Sequence, residues 1–308
     1  LISLLDLNKI KTLGRKYLSD RYIKKFDTSD HLISMLFSTF AHCTSLREVA
    51  SSMLGLKGKM SHFQLKHIPY RSTLSDANKR RSHLVFQDVY YSLLKEYHPI
   101  ISDSRQTYAW ENRLEIIDSS TISLFKDILS CVGRKPNTGK RKGGIKVHTQ
   151  INLQDRVPKL IWFSAATTHD KQFLKHVELE KGRIAVFDKG YNDYKTFDEF
   201  NESGIFFVTR LKSNASYESV KENDIPSYID DGVLKDEIIR IDVKENGAYL
   251  KTIELRKVAY WDNENKRCFE FITNLHGMNA GHIALIYKKR WQIELLFKQL
   301  KQNFPLKF

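Results

Sequence analysis

Cysteine is scarce in this sequence, and the few cysteines form no recognisable framework. The 308 residues include only Cys43, Cys131 and Cys268, which lie far apart and make no C-x-x-C pair. A zinc ribbon or a disulfide-stabilised secreted domain requires closely spaced cysteines. The sequence therefore excludes both classes and predicts a protein of a reducing compartment.

Long apolar runs are also absent from the sequence. No segment approaches the roughly 18 to 20 consecutive apolar residues that a membrane-spanning helix needs. The first residues, from Leu1 onward, lack the basic and apolar pattern of a secretory signal. We therefore expect a soluble cytoplasmic protein with no membrane partner.

Acidic residues are outnumbered by basic ones. The 50 Lys and Arg against 36 Asp and Glu give a formal net charge of +14. Each Lys or Arg near a phosphate releases condensed counterions, so this surplus favours nucleic acid as a partner. The alternative is a protein that is merely basic. Hydrophobic and aromatic contents of 41% and 12% predict a folded globular chain.

The first part of the chain, residues 1–105, is predicted to be a helical domain. Apolar residues recur at helical intervals over 29–42, with Ser29 or Asp30 as the cap. Two further helices are expected over 46–54, which ends at Gly55, and from about Ser75 to Tyr97.

This helical part also carries much of the basic surplus. Residues 1–100 hold sixteen Lys and Arg against eight Asp and Glu, and the third predicted helix contains Lys79, Arg80 and Arg81. Short basic helices joined by polar turns favour a helix-turn-helix-like DNA-binding domain, with these three residues as DNA contacts. A helical cap packed on the next domain remains the alternative.

From Arg113 the pattern changes to strands. Strands are expected over 114–124, 144–153, 159–167, 183–191 and 205–211, with helices over 171–179 and 193–202. Three strands followed by helix, strand, helix and strand form the order of a ribonuclease-H-like domain, an α/β fold with a mixed sheet. We assign this domain to residues 106–308. A β-rich insertion is expected at about 212–275, where Asn246-Gly247 predicts a hairpin, and a long helix from about Ala280 to Gln302.

Two carboxylates lie in apolar strands, where a charge is costly unless it has a partner. Asp118 follows Ile-Ile, and Asp188 follows Ala-Val-Phe. Either residue alone is more often a strand-end carboxylate with a local hydrogen bond. On adjacent strands the two would repel each other unless cations bridged them, and Mg²⁺ prefers such oxygen ligands.

The last predicted helix carries a polar stripe. Tyr287, Arg290, Glu294 and Lys301 fall within about 60° of one another on a helical projection, beside an apolar face. Glu294 can complete a metal site while its neighbours bind phosphate oxygens. The alternative is an ordinary amphipathic helix with ion pairs four residues apart. For Trp291, a packed core position is favoured over stacking on an unpaired base.

Three motifs together resemble the signature regions of bacterial insertion-sequence transposases. They are DSST at 118–121, FDKGY at 187–191, and Y-x2-R-x3-E-x6-K at 287–301. The similarity is to the IS-four branch of DDE enzymes, which is named for its Tyr-Arg-Glu-Lys signature. FFVTRLKSN at 206–214 and the segment ending in YRSTLSDANKRR at 70–81 also resemble that group.

The resemblance implies a ribonuclease-H-like core in which Asp118, Asp188 and Glu294 bind two Mg²⁺ or Mn²⁺ ions. It implies that Tyr287, Arg290 and Lys301 contact the phosphates of transposon ends, and Arg210 is expected to contact DNA as well. The implied reaction is cleavage of double-stranded DNA at transposon ends, followed by strand transfer into target DNA. The implied assembly is a homodimer in a synaptic complex at the bacterial nucleoid.

Some features leave alternatives open. Family members carry a further helical C-terminal segment that pairs two protomers, and we expect that segment to be missing after Phe308. A DNA-binding remnant without catalysis and a structure-specific nuclease on the same fold are therefore the competing interpretations. The basic run over 134–144 is either a DNA-binding loop or a solvated hairpin, and His148 and His169 are expected to be structural.

Overall fold

The computed structural model describes residues 2–101, 108–123, 133–134, 142–225, 232–245 and 247–303. The chain divides into two compact units, one of Leu1–Ser102 with Lys298–Phe308 and the other of Asp103–Phe297. Each unit has a hydrophobic core of its own. Within the described ranges, no helix has both the length and the apolar character required to cross a membrane.

The first unit is helical. Its helices are α1 (Leu7–Lys16), α2 (Thr28–Phe40), α3 (Leu46–Leu54), α4 (Arg71–Arg80) and α5 (His83–Ile101), with short 3-10 turns at Ile2–Leu4 and Lys57–Lys59. Their amphipathic faces meet in a core whose fully buried members include Ile33, Val49, Met53 and Leu74. Burial of such apolar faces is what stabilises helices this short.

Two of the predicted helix boundaries in this unit are wrong. Helix α2 begins after Asp27, whose carboxylate accepts a hydrogen bond of 2.9 Å from the Asp30 amide, rather than at Ser29 or Asp30. The helix predicted over 75–97 is two helices, because Arg81 has extended backbone angles and its side chain turns into the interior. Helix α3 has the predicted bounds and is capped by Ser45.

The second unit is built on one mixed sheet. Its strands are β1 (Leu114–Ser123), β2 (Gly133–Arg134), β3 (Lys142–Asn152), β4 (Pro158–Ala165), β5 (Ile184–Phe187), β6 (Phe206–Arg210), β7 (Glu218–Glu222), β8 (Val233–Glu245), β9 (Ala248–Asp262) and β10 (Arg267–Thr273). Its helices are α6 (Tyr194–Ser203), α7 (Ala280–Lys289) and the first part of α8 (Trp291–Asn303), whose residues from Lys298 onward are counted with the first unit. Turns of 3-10 type lie at Glu111–Arg113, Asp170–His176 and Lys189–Tyr191.

The strand order runs β2-β3-β1-β5-β6-β10-β9-β8-β7, and β4 also pairs with β3. Strands β4, β3 and β1 are antiparallel neighbours, whereas β1, β5 and β6 are parallel. Three antiparallel strands followed by two parallel ones form the ribonuclease-H-like core that the sequence predicts. The α/β fold class is confirmed.

The predicted β insertion extends the core sheet. Strand β10 pairs antiparallel with β6, and β8 and β9 form a long hairpin in which Glu245 opposes Ala248. Gly247 has a φ of +87°, which glycine tolerates at such a turn, while Asn246 lies outside the described residues. The predicted hairpin is therefore confirmed by its two strands.

Two helix predictions in the second unit are wrong in detail. The helix predicted over 171–179 is instead the 3-10 turn Asp170–His176. In a segment this short, few hydrogen bonds offset the unfavourable free energy of α-helix nucleation. The long helix predicted over 280–302 is divided at Arg290, whose amide donates to the Tyr287 carbonyl at 3.1 Å, a bond that spans three residues. Helices α7 and α8 therefore meet at the residue that pairs with the carboxylates described below.

Candidate active site

Asp118 lies within β1 and Asp188 directly after β5, at the point where the parallel pairing of these adjacent strands ends. The β1–β5 register pairs Ile117 with Phe187, so each Asp is the next residue along its strand. Strand β5 ends at Phe187, and β1 continues beyond it without that neighbour. Ligand sites in open α/β sheets commonly form at this edge.

The alternation of side chains decides which face of the sheet the two carboxylates occupy. Ile116 and Val186 pack in the core formed with α7 and α8. Ile117 and Phe187 pack in the opposite core, which includes α6. Since successive strand residues point to opposite faces, Asp118 and Asp188 share the face that α7 and α8 cover.

The junction of α7 and α8 presents the third carboxylate and a cation to this edge. Arg290 donates through Nη1 to Asp118 Oδ2 and through Nη2 to Glu294 Oε1, the latter at 2.7 Å. The Tyr287 hydroxyl donates to Asp188 Oδ1 at 3.1 Å. Three residues of the predicted stripe therefore contact the site, and Arg290 bridges two of the three predicted acids.

A second arginine enters from β6. Arg210 Nη2 donates to Asp188 Oδ1 at 2.6 Å, which leaves Asp188 with two donors on one oxygen. The Tyr287 ring lies between the two guanidinium groups, with its centroid 5.7 Å from Arg210 Cζ and 5.5 Å from Arg290 Cζ. Such cation–π contacts help to hold both arginines beside the carboxylates.

The electrostatics of the two aspartates differ. Burial raises the pKa of Asp118 to about 6, although the Arg290 guanidinium and the Ser119 amide act to lower it. Burial also acts to raise the pKa of Asp188, but the hydrogen bond and charge of Arg210, together with the charge of Arg290 and the Tyr287 hydroxyl, outweigh burial and hold that pKa below its usual value. Asp188 is therefore the carboxylate held most firmly in its ionised form.

The donor chemistry of this site fits a divalent cation. Carboxylate oxygens are the ligands that Mg²⁺ prefers, and Asp118 and Glu294 already share the charge of one guanidinium. In the described part of the chain, no group of three His, Cys, Asp or Glu side chains is close enough to hold a metal ion as it stands. The metal role of the three acids therefore stays a prediction.

The remaining predicted DNA contacts lie on helix surfaces, with one exception. Lys79 and Arg80 are exposed on α4, where Arg80 pairs with Asp76 at 2.8 Å, and Lys301 is exposed in the last turn of α8. Arg81 is 8% exposed and donates to the Phe26 carbonyl. The prediction of Arg81 as a DNA contact is corrected, because its guanidinium serves the interior of the first unit.

The other predictions made from the sequence have different outcomes. His148 is fully buried and hydrogen-bonded through both ring nitrogens, as a structural histidine should be, whereas His169 is exposed. Trp291 is 54% exposed, so its expected core position is wrong. The basic run over 134–144 lies mostly outside the described residues.

Sequence reasoning missed a group of polar side chains next to the site. Asp170 accepts hydrogen bonds from both Lys146 and Ser119, the residue after Asp118. Asp170 follows Thr-Thr-His just before the helix predicted over 171–179, and Lys146 lies in an alternating strand. Neither position has a local pattern that marks it, because the contacts join residues distant in sequence.

Comparison with known proteins adds independent information. Residues 110–307 match the family model described as "Transposase DDE domain", and residues 1–66 match a domain of unknown function, DUF4372. The putative transposase y4zB of Sinorhizobium fredii is 33% identical over 78% of this chain and 64% of its own length. A putative transposase for insertion sequence element IS4SA of Synechocystis is 27% identical over 76% of this chain and 63% of its own.

A third relative, a probable transposase for insertion sequence element IS5377 of Geobacillus stearothermophilus, is 24% identical over 72% of this chain and 58% of its own length. The chain thus spans less than two thirds of the length of these relatives. Among solved structures, a chain of a piggyBac transposase synaptic complex with hairpin DNA aligns with a TM-score of 0.43 at 9% identity, over 97% of this chain and 65% of that one.

The family match includes the strands and helices that carry Asp118, Asp188 and Glu294. The relatives at 27% and 24% identity are named as transposases of bacterial insertion sequences. This chain belongs to the DDE transposase family.

Proposed function

We propose that this chain cleaves double-stranded DNA at the ends of an insertion sequence and joins those ends to target DNA. The observation that carries the proposal is the bridge from Arg290 to Asp118 and Glu294, next to Asp188, where the parallel pairing of β1 and β5 ends. The Arg290 guanidinium joins two of the three acids expected of a DDE enzyme, and Arg210 and Tyr287 bind the third. Family membership supports the same reaction class.

The three acids would hold the divalent ions that enzymes of this family use. Two Mg²⁺ or Mn²⁺ ions bound there supply an activated water or 3′-hydroxyl and stabilise the leaving oxygen. The protein fixes the ligands: Arg210 and Tyr287 keep Asp188 ionised and oriented. Glu294 has a side chain that is 37% exposed, which leaves it accessible to an incoming ion.

The two arginines are suited to a phosphodiester as well. Nε of Arg210 and Nε of Arg290 are buried, and neither has a hydrogen-bond partner within the described ranges. A buried unsatisfied donor is costly, and a guanidinium recognises phosphate oxygens with paired donors. We propose that DNA phosphates satisfy these donors, with Lys301 contacting DNA further along α8.

The first unit is proposed to bind DNA mainly through phosphates. Lys79 and Arg80 are exposed at the end of α4, and the surrounding 100 residues carry a surplus of eight basic groups. Such contacts give affinity without sequence information. In the proposed complex two copies of the chain bring the two transposon ends together at the bacterial nucleoid.

The test is a cleavage assay on a labelled duplex that carries the terminal repeats flanking the gene, with Mg²⁺ or Mn²⁺ added. The parent chain should nick the duplex at the repeat boundary, and Glu294→Gln should bind it and leave it intact. Glu264→Gln is the matched control, because Glu264 is a solvent-exposed acid paired with Lys288.

Three outcomes of this assay are informative. Cleavage by Glu294→Gln at the parent rate would show that Glu294 has no catalytic role. Binding without cleavage by the parent would favour a non-catalytic DNA-binding protein. Cleavage without any strand joining would favour the alternative function, a structure-specific nuclease on the same fold.

A further inference from the structure

Asp170 touches the segments that follow both predicted catalytic aspartates. Its Oδ1 accepts a hydrogen bond from the Ser119 hydroxyl at 3.4 Å, one residue after Asp118. Its Oδ2 lies 3.0 Å from the point that a Cβ on residue 190 would occupy, and this residue is Gly190, two positions after Asp188. One carboxylate therefore packs against two separate strand ends.

Lys146 fixes the position of this carboxylate. Its Nζ donates to Asp170 Oδ1 at 2.8 Å and to the Thr168 carbonyl at 3.3 Å. The two side chains are only 15% and 25% exposed, so water competes less for this pair than for a surface ion pair. Because Lys146 holds both the side chain of Asp170 and the backbone before it, Asp170 has little freedom to move.

The turn after Asp188 is anchored on the same side of the sheet. Tyr191 is 1% exposed, and its hydroxyl shares a hydrogen bond of 3.1 Å with His148 Nδ1. His148 Nε2 shares another, of 3.0 Å, with the Ser164 hydroxyl. The Tyr191 amide donates to the Asp188 carbonyl at 3.0 Å, which connects this buried network to the predicted ligand.

We propose that Asp170, held by Lys146, is a positioning residue that fixes the backbone after Asp118 and Asp188 and so sets the separation of their carboxylates. Ser119 points to the opposite face of β1 from Asp118, so Asp170 supports the site from behind and touches no reacting atom. Ligands need such supporting contacts to hold a productive geometry. The catalytic consequence rests on the proposed function, whereas the positioning itself does not.

Gly190 gives this inference a test independent of the ion pair. A methyl group at this position would press on Asp170 Oδ2 while leaving both charges in place. Gly190→Ala should therefore reproduce the effect of Asp170→Ala. An ion pair that merely added stability would respond to the second change alone.

The first measurement is amide hydrogen exchange of the full chain, read at 119–121 and 189–192. Asp170→Ala and Gly190→Ala should each raise exchange at both segments by roughly fivefold or more, because each loosens a shared support. Asp193→Ala is the matched control for the acid: Asp193 is also 25% exposed and pairs with Lys171 at 3.5 Å. It should leave exchange at 119–121 unchanged.

The second measurement is the cleavage assay described above. Asp170→Ala should lower kcat by about tenfold and leave the half-saturating DNA concentration unchanged, since a misplacement of roughly 1 Å costs rate rather than DNA contacts. Lys146→Arg should retain most of the rate, and Lys146→Met should lose it. A loss of stability alone would also lower the apparent kcat, because it lowers the active fraction, so kcat is calculated per folded molecule from the melting curve. The positioning role requires the loss of kcat to persist after that correction.

The outcomes separate the two proposals. If Asp170→Ala and Gly190→Ala show the same amide hydrogen exchange and the same cleavage rate as the parent, the positioning role is wrong and the proposed function stands. If the parent does not cleave DNA, the proposed function fails, and the exchange data alone decide the role of Asp170. If Asp170→Ala does not fold, Gly190→Ala and Lys146→Met carry the same comparison, with Lys146→Arg as their control.

Discussion

Arg290 is the side chain on which the charge balance of the candidate site depends, so its removal is the most informative perturbation. Arg290→Ala leaves Asp118, whose side chain is 14% exposed, without its cation. Removing one partner of a buried ion pair costs about 3–5 kcal/mol of unfolding free energy. The pair with Glu294 adds under about 1 kcal/mol, because that side chain is 37% exposed. We expect a total loss at the lower end of this range, about 3 kcal/mol, because a buried carboxylate without its cation can take up a proton.

This loss should appear in thermal unfolding and should depend on pH. For a unit of this size, about 3 kcal/mol corresponds to a fall in Tm of roughly 6–12 °C. Burial already raises the pKa of Asp118 to about 6, and without Arg290 this pKa should rise further. An acid whose pKa is higher in the folded state binds its proton there first, so stability falls as pH rises through that range. The deficit of Arg290→Ala should therefore be larger at pH 8 than at pH 5.5.

Divalent cations give a second readout of the same variant. An ion that takes the place of the guanidinium on Asp118 and Glu294 should raise the Tm of Arg290→Ala more than that of the parent. Arg290→Lys is the control that retains one charge but loses the paired donors that contact both acids. If Arg290→Ala melted like the parent at both pH values and did not respond to Mn²⁺, the bridge would contribute nothing and this reasoning would be wrong.

Four further substitutions test other parts of the structure. Burial lowers the pKa of His148 to about 4, so the unfolded chain takes up a proton first as pH falls. Stability is therefore lost between about pH 6.5 and 4, by up to roughly 3 kcal/mol. His148→Gln should flatten this pH dependence of Tm, and an unchanged slope would contradict the reasoning. Trp291→Ala should lower affinity for single-stranded DNA by about 1–3 kcal/mol without lowering Tm, and unchanged affinity in a fluorescence titration would rule out stacking. Lys79→Ala and Arg80→Ala should each reduce the salt slope of duplex binding by about one, so an unchanged slope would place DNA elsewhere.

The sheet and its two aspartates could be predicted from the sequence because the signals are local. A charged residue within or at the end of an apolar strand marks Asp118 and Asp188 without knowledge of the fold. The order of strands and helices along the chain then favoured a ribonuclease-H-like mixed sheet, and the structure confirms that sheet. The stripe on the last helical segment likewise predicted that Tyr287, Arg290 and Glu294 share a face, and all three lie at the site.

The errors arise where a long-range contact overrides a local pattern. The periodicity over 75–97 is helical throughout, yet the chain turns at Arg81 to bring its guanidinium to the Phe26 carbonyl. Charge alone marked Arg81 as a surface residue, because sequence does not reveal the buried acceptors that pair with it. Asp170 escaped notice for the opposite reason, since it has an unremarkable local sequence and takes its importance from Ser119 and Gly190.

The sequence predicted the polar stripe on the last helical segment but did not reveal that Arg290 binds Asp118 and Glu294. This pairing of charges couples metal binding to DNA binding. Three carboxylates and two guanidinium groups lie at the site, so it carries slightly more negative than positive charge when all three acids are ionised. A DNA phosphate that recruited Arg290 would leave Asp118 without its cation and bring a further negative charge to the same place. Divalent ions compensate both changes at once. We therefore expect metal to bind this chain more tightly when DNA is present than when it is absent, and DNA more tightly when metal is present, as reciprocal coupling requires.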